Sequence, residues 1–111
     1  METKAKRTLV KSAPELWELA DDLAWMEAWM GGLVGARTPT AVEVTDREPE
    51  RLLAWRTAHG GPYGRIALEL AESGFGTSVR ITAQHPGEAG DLLERLLDEL
   101  GSPERRPFVA G

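Results

Sequence analysis

His59 and Tyr63 are the side chains best placed to exchange protons with a bound molecule. They lie four residues apart across Gly60-Gly61-Pro62. A turn of that composition, set at a pocket mouth, would bring an imidazole that titrates near neutral pH beside a phenol. Each histidine also reads as a solvated loop residue, because His59 and His85 both sit beside Gly or Pro at strand ends. Neither has the regular spacing to carboxylates that a metal site needs. The absence of cysteine removes disulfides, thiolate nucleophiles and Cys-based zinc sites. Gly31-Gly32 and Gly74-Phe75-Gly76 do not follow a strand and open a helix, so no phosphate loop is expected. No serine-nucleophile motif occurs. The expectation is no metal and no cofactor, with catalysis left open.

The elements that would carry these residues follow from periodicity. Lys6–Lys11 reads as a first strand, with Thr8 and Val10 on one side and Arg7, Leu9 and Lys11 on the other. Ser12 and Glu15 have capping-box spacing, and Pro14 suits a first helical turn. Leu16, Leu19, Ala20 and Leu23 form an apolar helical stripe, continued by Trp25, Met26, Trp29 and Met30. The spacing predicts helix from Pro14 to Met30, with a break near Asp21-Asp22 and a stop at Gly31-Gly32. Residues 33–40 read as loop or a short strand. Strands are expected at Ala41–Thr45 and Arg51–Ala58, around a Glu48-Pro49-Glu50 turn. In the second, Leu53 and Trp55 face one way and Leu52, Ala54 and Arg56 the other. Ile66, Leu68 and Leu70, then Val79, Ile81 and Ala83, alternate with small or polar residues and predict a hairpin turning at residues 73–76. Gly87–Leu100 reads as a last helix with a stripe of Leu92, Leu93, Leu96, Leu97 and Leu100. Phe108 is a candidate plug folding back from the tail.

The chain has 111 residues, a length that predicts one domain, residues 1–111, with little apolar surface to spare for a large cavity. Asp and Glu outnumber Lys and Arg by 18 to 13, which argues against nucleic acid as a partner. The basic residues Lys4, Lys6, Arg7 and Lys11 read as a solvated terminus and edge strand. No apolar run is long enough to span a membrane, and the first residues lack the apolar segment of a secretion signal. The cysteine-free composition fits a cytoplasmic protein. Glu43 and Arg56 read as an outward cross-strand ion pair.

Three local sequences now combine. Ser12-Ala13-Pro14-Glu15-Leu16-Trp17 opens the first helix, Glu48-Pro49-Glu50-Arg51-Leu52 turns one strand into the next, and Gly76-Thr77 starts the final strand. In this order they resemble the START-like (SRPBCC) superfamily, which includes polyketide cyclase/dehydrase and lipid-transport-like proteins. The resemblance implies an α+β helix-grip fold, a curved antiparallel sheet of about five strands around a C-terminal helix. Only Gly31–Thr40 is available where family members commonly carry an additional strand pair, and the last helix is short, about 21 Å for about 14 residues. The chain therefore reads as a shortened member.

The resemblance further implies a small hydrophobic or amphipathic ligand between sheet and last helix. Trp29, Trp55, Ile66, Leu68, Leu70, Val79, Ile81, Leu93 and Leu97 are the expected lining, although the same residues also suit a filled core. An enzyme of the polyketide cyclase/dehydrase type is a second expectation, with His59 and Tyr63 as its catalytic candidates. A protein-interaction module like the chaperone-ATPase activator homologues is a third. Trp25, Met26, Trp29 and Met30 then read as core, as a lid, or as the surface of a homodimer.

Overall fold

The computed structural model describes residues 2–58 and 63–102. Its elements run β1 (Glu2–Leu9), α1 (Ala13–Ala20), α2 (Leu23–Val34), β2 (Val42–Glu48), β3 (Leu52–Thr57), β4 (Arg65–Ser73), β5 (Gly76–Gln84) and α3 (Gly90–Gly101). The strands form one antiparallel sheet in the order β1-β5-β4-β3-β2. The helices cover its apolar face. Leu53, Trp55, Ile66, Leu68, Leu70, Val79 and Ile81 from the sheet meet Leu16, Met26, Met30 and the α3 leucines in one core cluster.

Local chemistry explains the helix ends. Ser12 Oγ accepts from the Glu15 N–H at 3.2 Å, and the Glu15 carboxylate accepts from the Ser12 N–H at 3.0 Å. This reciprocal box satisfies two donors that a helix start otherwise leaves unpaired. The α1–α2 break falls at Asp21-Asp22, where Asp22 caps α2 by accepting from the Ala24 and Trp25 N–H groups. Arg47 of β2 reaches across to the Asp21 carboxylate and ties this corner to the sheet.

The stop expected at Gly31-Gly32 is not where α2 ends. The helix continues to Val34, and Gly35, at φ 76°, makes the left-handed cap. Gly31 and Gly32 instead permit close packing. A Cβ on Gly31 would sit 2.6 Å from the Thr38 carbonyl oxygen, and one on Gly32 would sit 3.0 Å from Leu92 Cδ1 of α3.

Other boundaries also move for physical reasons. β1 pairs with β5 along all eight of its residues, then peels away before Val10, so the Val10–Lys11 segment belongs to the connection rather than the strand. β2 extends to Glu48, past the expected end at Thr45, because a bulge between Val44 and Asp46 interrupts the alternation that marks a strand. α3 begins at Gly90, since His85 Nδ1 accepts from the Gly87 N–H and Glu88 from the Gly90 N–H, holding 85–89 as a connection. Ala54 faces outward yet is fully buried. Asp46 lies opposite it on β2, and the Asp46–Arg65 ion pair (3.1 Å) spans β3 on that side.

Glu43 and Arg56 are direct cross-strand partners and form the expected ion pair at 2.7 Å. Arg7 faces α3 and holds Glu94 and Asp98, the latter at 2.5 Å. The hydrogen bond to Asp98 leads the causes that raise the Arg7 guanidinium above its usual value.

Candidate functional site

The sheet–α3 layer is closely packed at its centre. Trp55, Ile66, Leu68, Val79, Ile81, Leu93 and Leu97 are at most 1% exposed. Trp29 is partly buried against this core, and Trp55 donates from Nε1 to the Met26 carbonyl at 3.1 Å. Trp25 bridges the two indoles, with centroids 6.2 Å from Trp29 and 5.8 Å from Trp55. Met26 and Met30 lie inside the core, as the packing reading of this cluster expects.

Open space lies at the end of the layer. A hollow of about 930 Å³ is bounded by the β1–α1 connection and first turn of α1 (Val10–Glu15), the β2–β3 turn (Pro49–Arg51), and the β4–β5 hairpin end. Leu70, at 7% exposed, joins the core to this hollow. Of the residues expected to line a ligand site, Leu70 is the one that borders this hollow. Val10 and Phe75 are 85% and 88% exposed beside it.

Each wall has a specific cause. The two-residue Gly74-Phe75 turn closes the β4–β5 ladder at the Ser73–Gly76 pair. Gly76 is needed for space, because a Cβ there would land on the Leu9 carbonyl. Thr77, buried at 1%, donates from Oγ1 to the Lys11 carbonyl at 2.7 Å and fastens β5 to the β1–α1 connection. The Gly76-Thr77 motif is thus a close approach followed by a tie. Across the hollow, the Arg51 N–H bonds the Glu48 carbonyl at 2.9 Å around Pro49-Glu50. Glu50 takes φ 65° there, a position that favours glycine.

The polar rim holds Lys11, Glu15, Glu50, Arg51 and Glu72. Hydrogen bonds from the Ser12 N–H and then the Ser12 hydroxyl hold the Glu15 carboxyl below its usual value. Sequence reading did not bring this site together, since three turns distant along the chain build it. The available signal was Phe75, a large apolar side chain placed between two glycines of a turn.

His59 lies outside the described residues, as do the Gly60-Gly61-Pro62 turn and Phe108. Tyr63 is 45% exposed and lines a second hollow of about 410 Å³ with Glu2, Gln84, His85 and Pro86. The structure therefore places Tyr63 with the other histidine, at the far end of β5. Among the described residues, Thr77 is the one buried polar side chain, and no helix is long and apolar enough to cross a membrane.

No protein-family model matches the chain, and no curated protein matches it. Solved structures do. DR_A0006 from Deinococcus radiodurans superposes with a TM-score of 0.70 at 20% identity, over 91% of this chain and 95% of that one. CalU16 from Micromonospora echinospora gives 0.68 at 21% identity, over 90% and 71%. The Aha1 dimer from Colwellia psychrerythraea gives 0.64 at 18% identity, over 91% and 96%. The described residues share the fold of these structures: an α+β helix grip, with a five-stranded antiparallel sheet closed by a C-terminal helix.

Proposed function

We propose that this chain is a shortened START-like binding module that takes a small hydrophobic or amphipathic molecule, without catalysis. The observation that carries the reading is the hollow of about 930 Å³ whose floor, Leu70, is continuous with the core and whose walls include exposed Val10 and Phe75. That volume suits a drug-sized ligand, and an apolar floor with a few polar rim groups is the usual composition of such a site. The centre of the sheet–α3 layer is filled, so the ligand sits at the end of the layer and not along its length. Trp29, Trp55, Ile66, Leu68, Val79, Ile81, Leu93 and Leu97 then support the floor from behind. No titratable side chain among the described residues is buried, which favours binding over the cyclase/dehydrase alternative.

The test uses anilinonaphthalene sulfonate, whose fluorescence rises in apolar sites, together with native mass spectrometry for molecules retained through purification. Glu72 lies exposed in the hollow on the same strand face as Leu70, so Glu72→Trp fills it without entering the core. Dye affinity is expected to fall by about tenfold, equivalent to about 1.4 kcal/mol, with the unfolding midpoint unchanged. Equal dye affinity in Glu72→Trp and the parent chain would refute the site.

The dimeric Colwellia neighbour favours a second reading, a homodimeric interaction module. Exposed Leu19 and Leu23 flank the α1–α2 corner and supply its surface. Light scattering on the parent and on Leu23→Glu separates the two: a dimer dispersed by Leu23→Glu supports this reading, and a monomeric parent removes it.

A further inference from the structure

Phe75 is the most exposed large apolar side chain among the described residues, and it stands at the hollow's rim. One end of its turn is fixed. The Ser73–Gly76 pair closes the ladder, Gly76 lies against the Leu9 carbonyl, and Thr77 is tied to Lys11. The other end is open, because a Cβ on Gly74 would meet no heavy atom of the described residues within 4 Å. An exposed side chain without a packing partner changes rotamer in picoseconds to nanoseconds. The Phe75 ring therefore swings from an anchored base. Val10 flanks the same base, since a Cβ on Gly76 would lie 3.1 Å from Val10 Cα.

The charges of the rim do not choose a guest by sign. Lys11 and Arg51 share it with Glu15, Glu50 and Glu72. Arg51 lies 3.7 Å from Glu48, and the Glu15 carboxylate is taken by the Ser12 N–H and hydroxyl. Lys11, Glu50 and Glu72 form no ion pair among the described residues, so both signs remain at the rim. Selection then falls on apolar fit above Leu70. A molecule resting on that floor has an uncovered upper side, and covering it also removes the Phe75 ring from water. We propose that Phe75 is the lid of the hollow: exposed in the free chain, its ring turns over a bound apolar molecule and, with Val10, encloses it against Leu70. The lid sets how long the molecule stays, and its apolar body rather than a charged group decides affinity. This rests on the ligand reading above.

Two dyes test this on the full chain, the anionic anilinonaphthalene sulfonate and the neutral Nile red. Phe75→Ala is expected to weaken both by about tenfold, through faster dissociation at an unchanged association rate, because the covering contacts form after entry. The unfolding midpoint should not move, since the ring is exposed; a lowered midpoint would put Phe75 in the packing and overturn the lid. 4-Fluorophenylalanine at position 75 alone then reports the motion. Its fluorine resonance should show the solvent isotope shift of an exposed ring in the free chain and lose it when either dye saturates the hollow. A fluorine that stays exposed under saturating dye overturns the lid, as does equal dissociation from Phe75→Ala and the parent. A loss confined to one dye overturns selection by apolar fit. Dye binding that Glu72→Trp weakens while the fluorine stays exposed removes the lid and leaves the site standing. A parent chain that binds neither dye removes both.

Discussion

Two glycines of one hairpin should respond to the same substitution in opposite directions. Gly76→Ala places a methyl group on the Leu9 carbonyl and 3.1 Å from Val10 Cα. These contacts are backbone and not a flexible side chain, so the end of β1 must retreat. The retreat loosens Leu9, buried at 5%, and the Thr77–Lys11 hydrogen bond. Exposing a leucine costs about 2 kcal/mol, and a lost hydrogen bond about 1 kcal/mol. Alanine returns about 0.5 kcal/mol by restricting the unfolded chain. The net loss is about 2.5 kcal/mol. With unfolding entropy of about 2.1 cal/mol/K per residue over the chain, that lowers Tm by about 10 °C. Gly74 has no heavy atom within 4 Å of its would-be Cβ and no positive φ. Gly74→Ala keeps the unfolded-state gain alone, raising Tm by about 2 °C. Thermal melts followed by circular dichroism, repeated in urea, measure both. Equal midpoints for the two variants would refute the account of Gly76 as a forced close approach.

Glu50→Gly should stabilise the fold by about 0.5 kcal/mol: glycine relieves a left-handed Cβ penalty of about 1 kcal/mol but returns about 0.5 kcal/mol through a freer unfolded chain; urea unfolding checks it. Ser12→Ala should cost about 1 kcal/mol at neutral pH as a lost N-cap. It should also change the acid limb. Glu15 is held below its usual value near 4.5 in the folded state, so its contribution is present above that pH and is lost as pH falls through the lower folded value. The variant lacks that contribution, and its stability should decline less steeply below about pH 4.5 in acid titrations followed by tryptophan fluorescence.

The parts of the fold legible in sequence are those set by near neighbours. Alternation marked Ile66–Leu70 and Val79–Ala83, the Ser12–Glu15 spacing marked a cap, and the five α3 leucines marked a buried stripe, each as observed. The failures arose where distant contacts decide. Gly31-Gly32 reads as a helix stop until Thr38 and Leu92 are seen pressing on it. The second half of β2 is hidden by its bulge, which shifts the register that alternation depends on. Ala54 gives no sign of burial: Asp46 lies opposite it on β2 and pairs with Arg65 of β4, a contact between other strands. The hollow escapes for the same reason: Lys11, Glu50 and Phe75 become neighbours only when three turns meet. What could be read was the order of the elements, while the hollow required the assembled turns.

The edge of the sheet at β2 has a further consequence for how this scaffold grows. β2 bonds to β3 alone, and its row Glu43, Asp46, Arg47 and Glu48, with the bulge among them, repels a stray strand. Residues 35–41 enter it as an exposed connection anchored at its end by the Thr40 N–H on the Glu27 carbonyl. That connection tolerates inserted residues, but a hairpin placed there would extend the sheet only if the bulge and the charges of β2 were also replaced; the short sheet is fixed by its last strand and not by the loop before it.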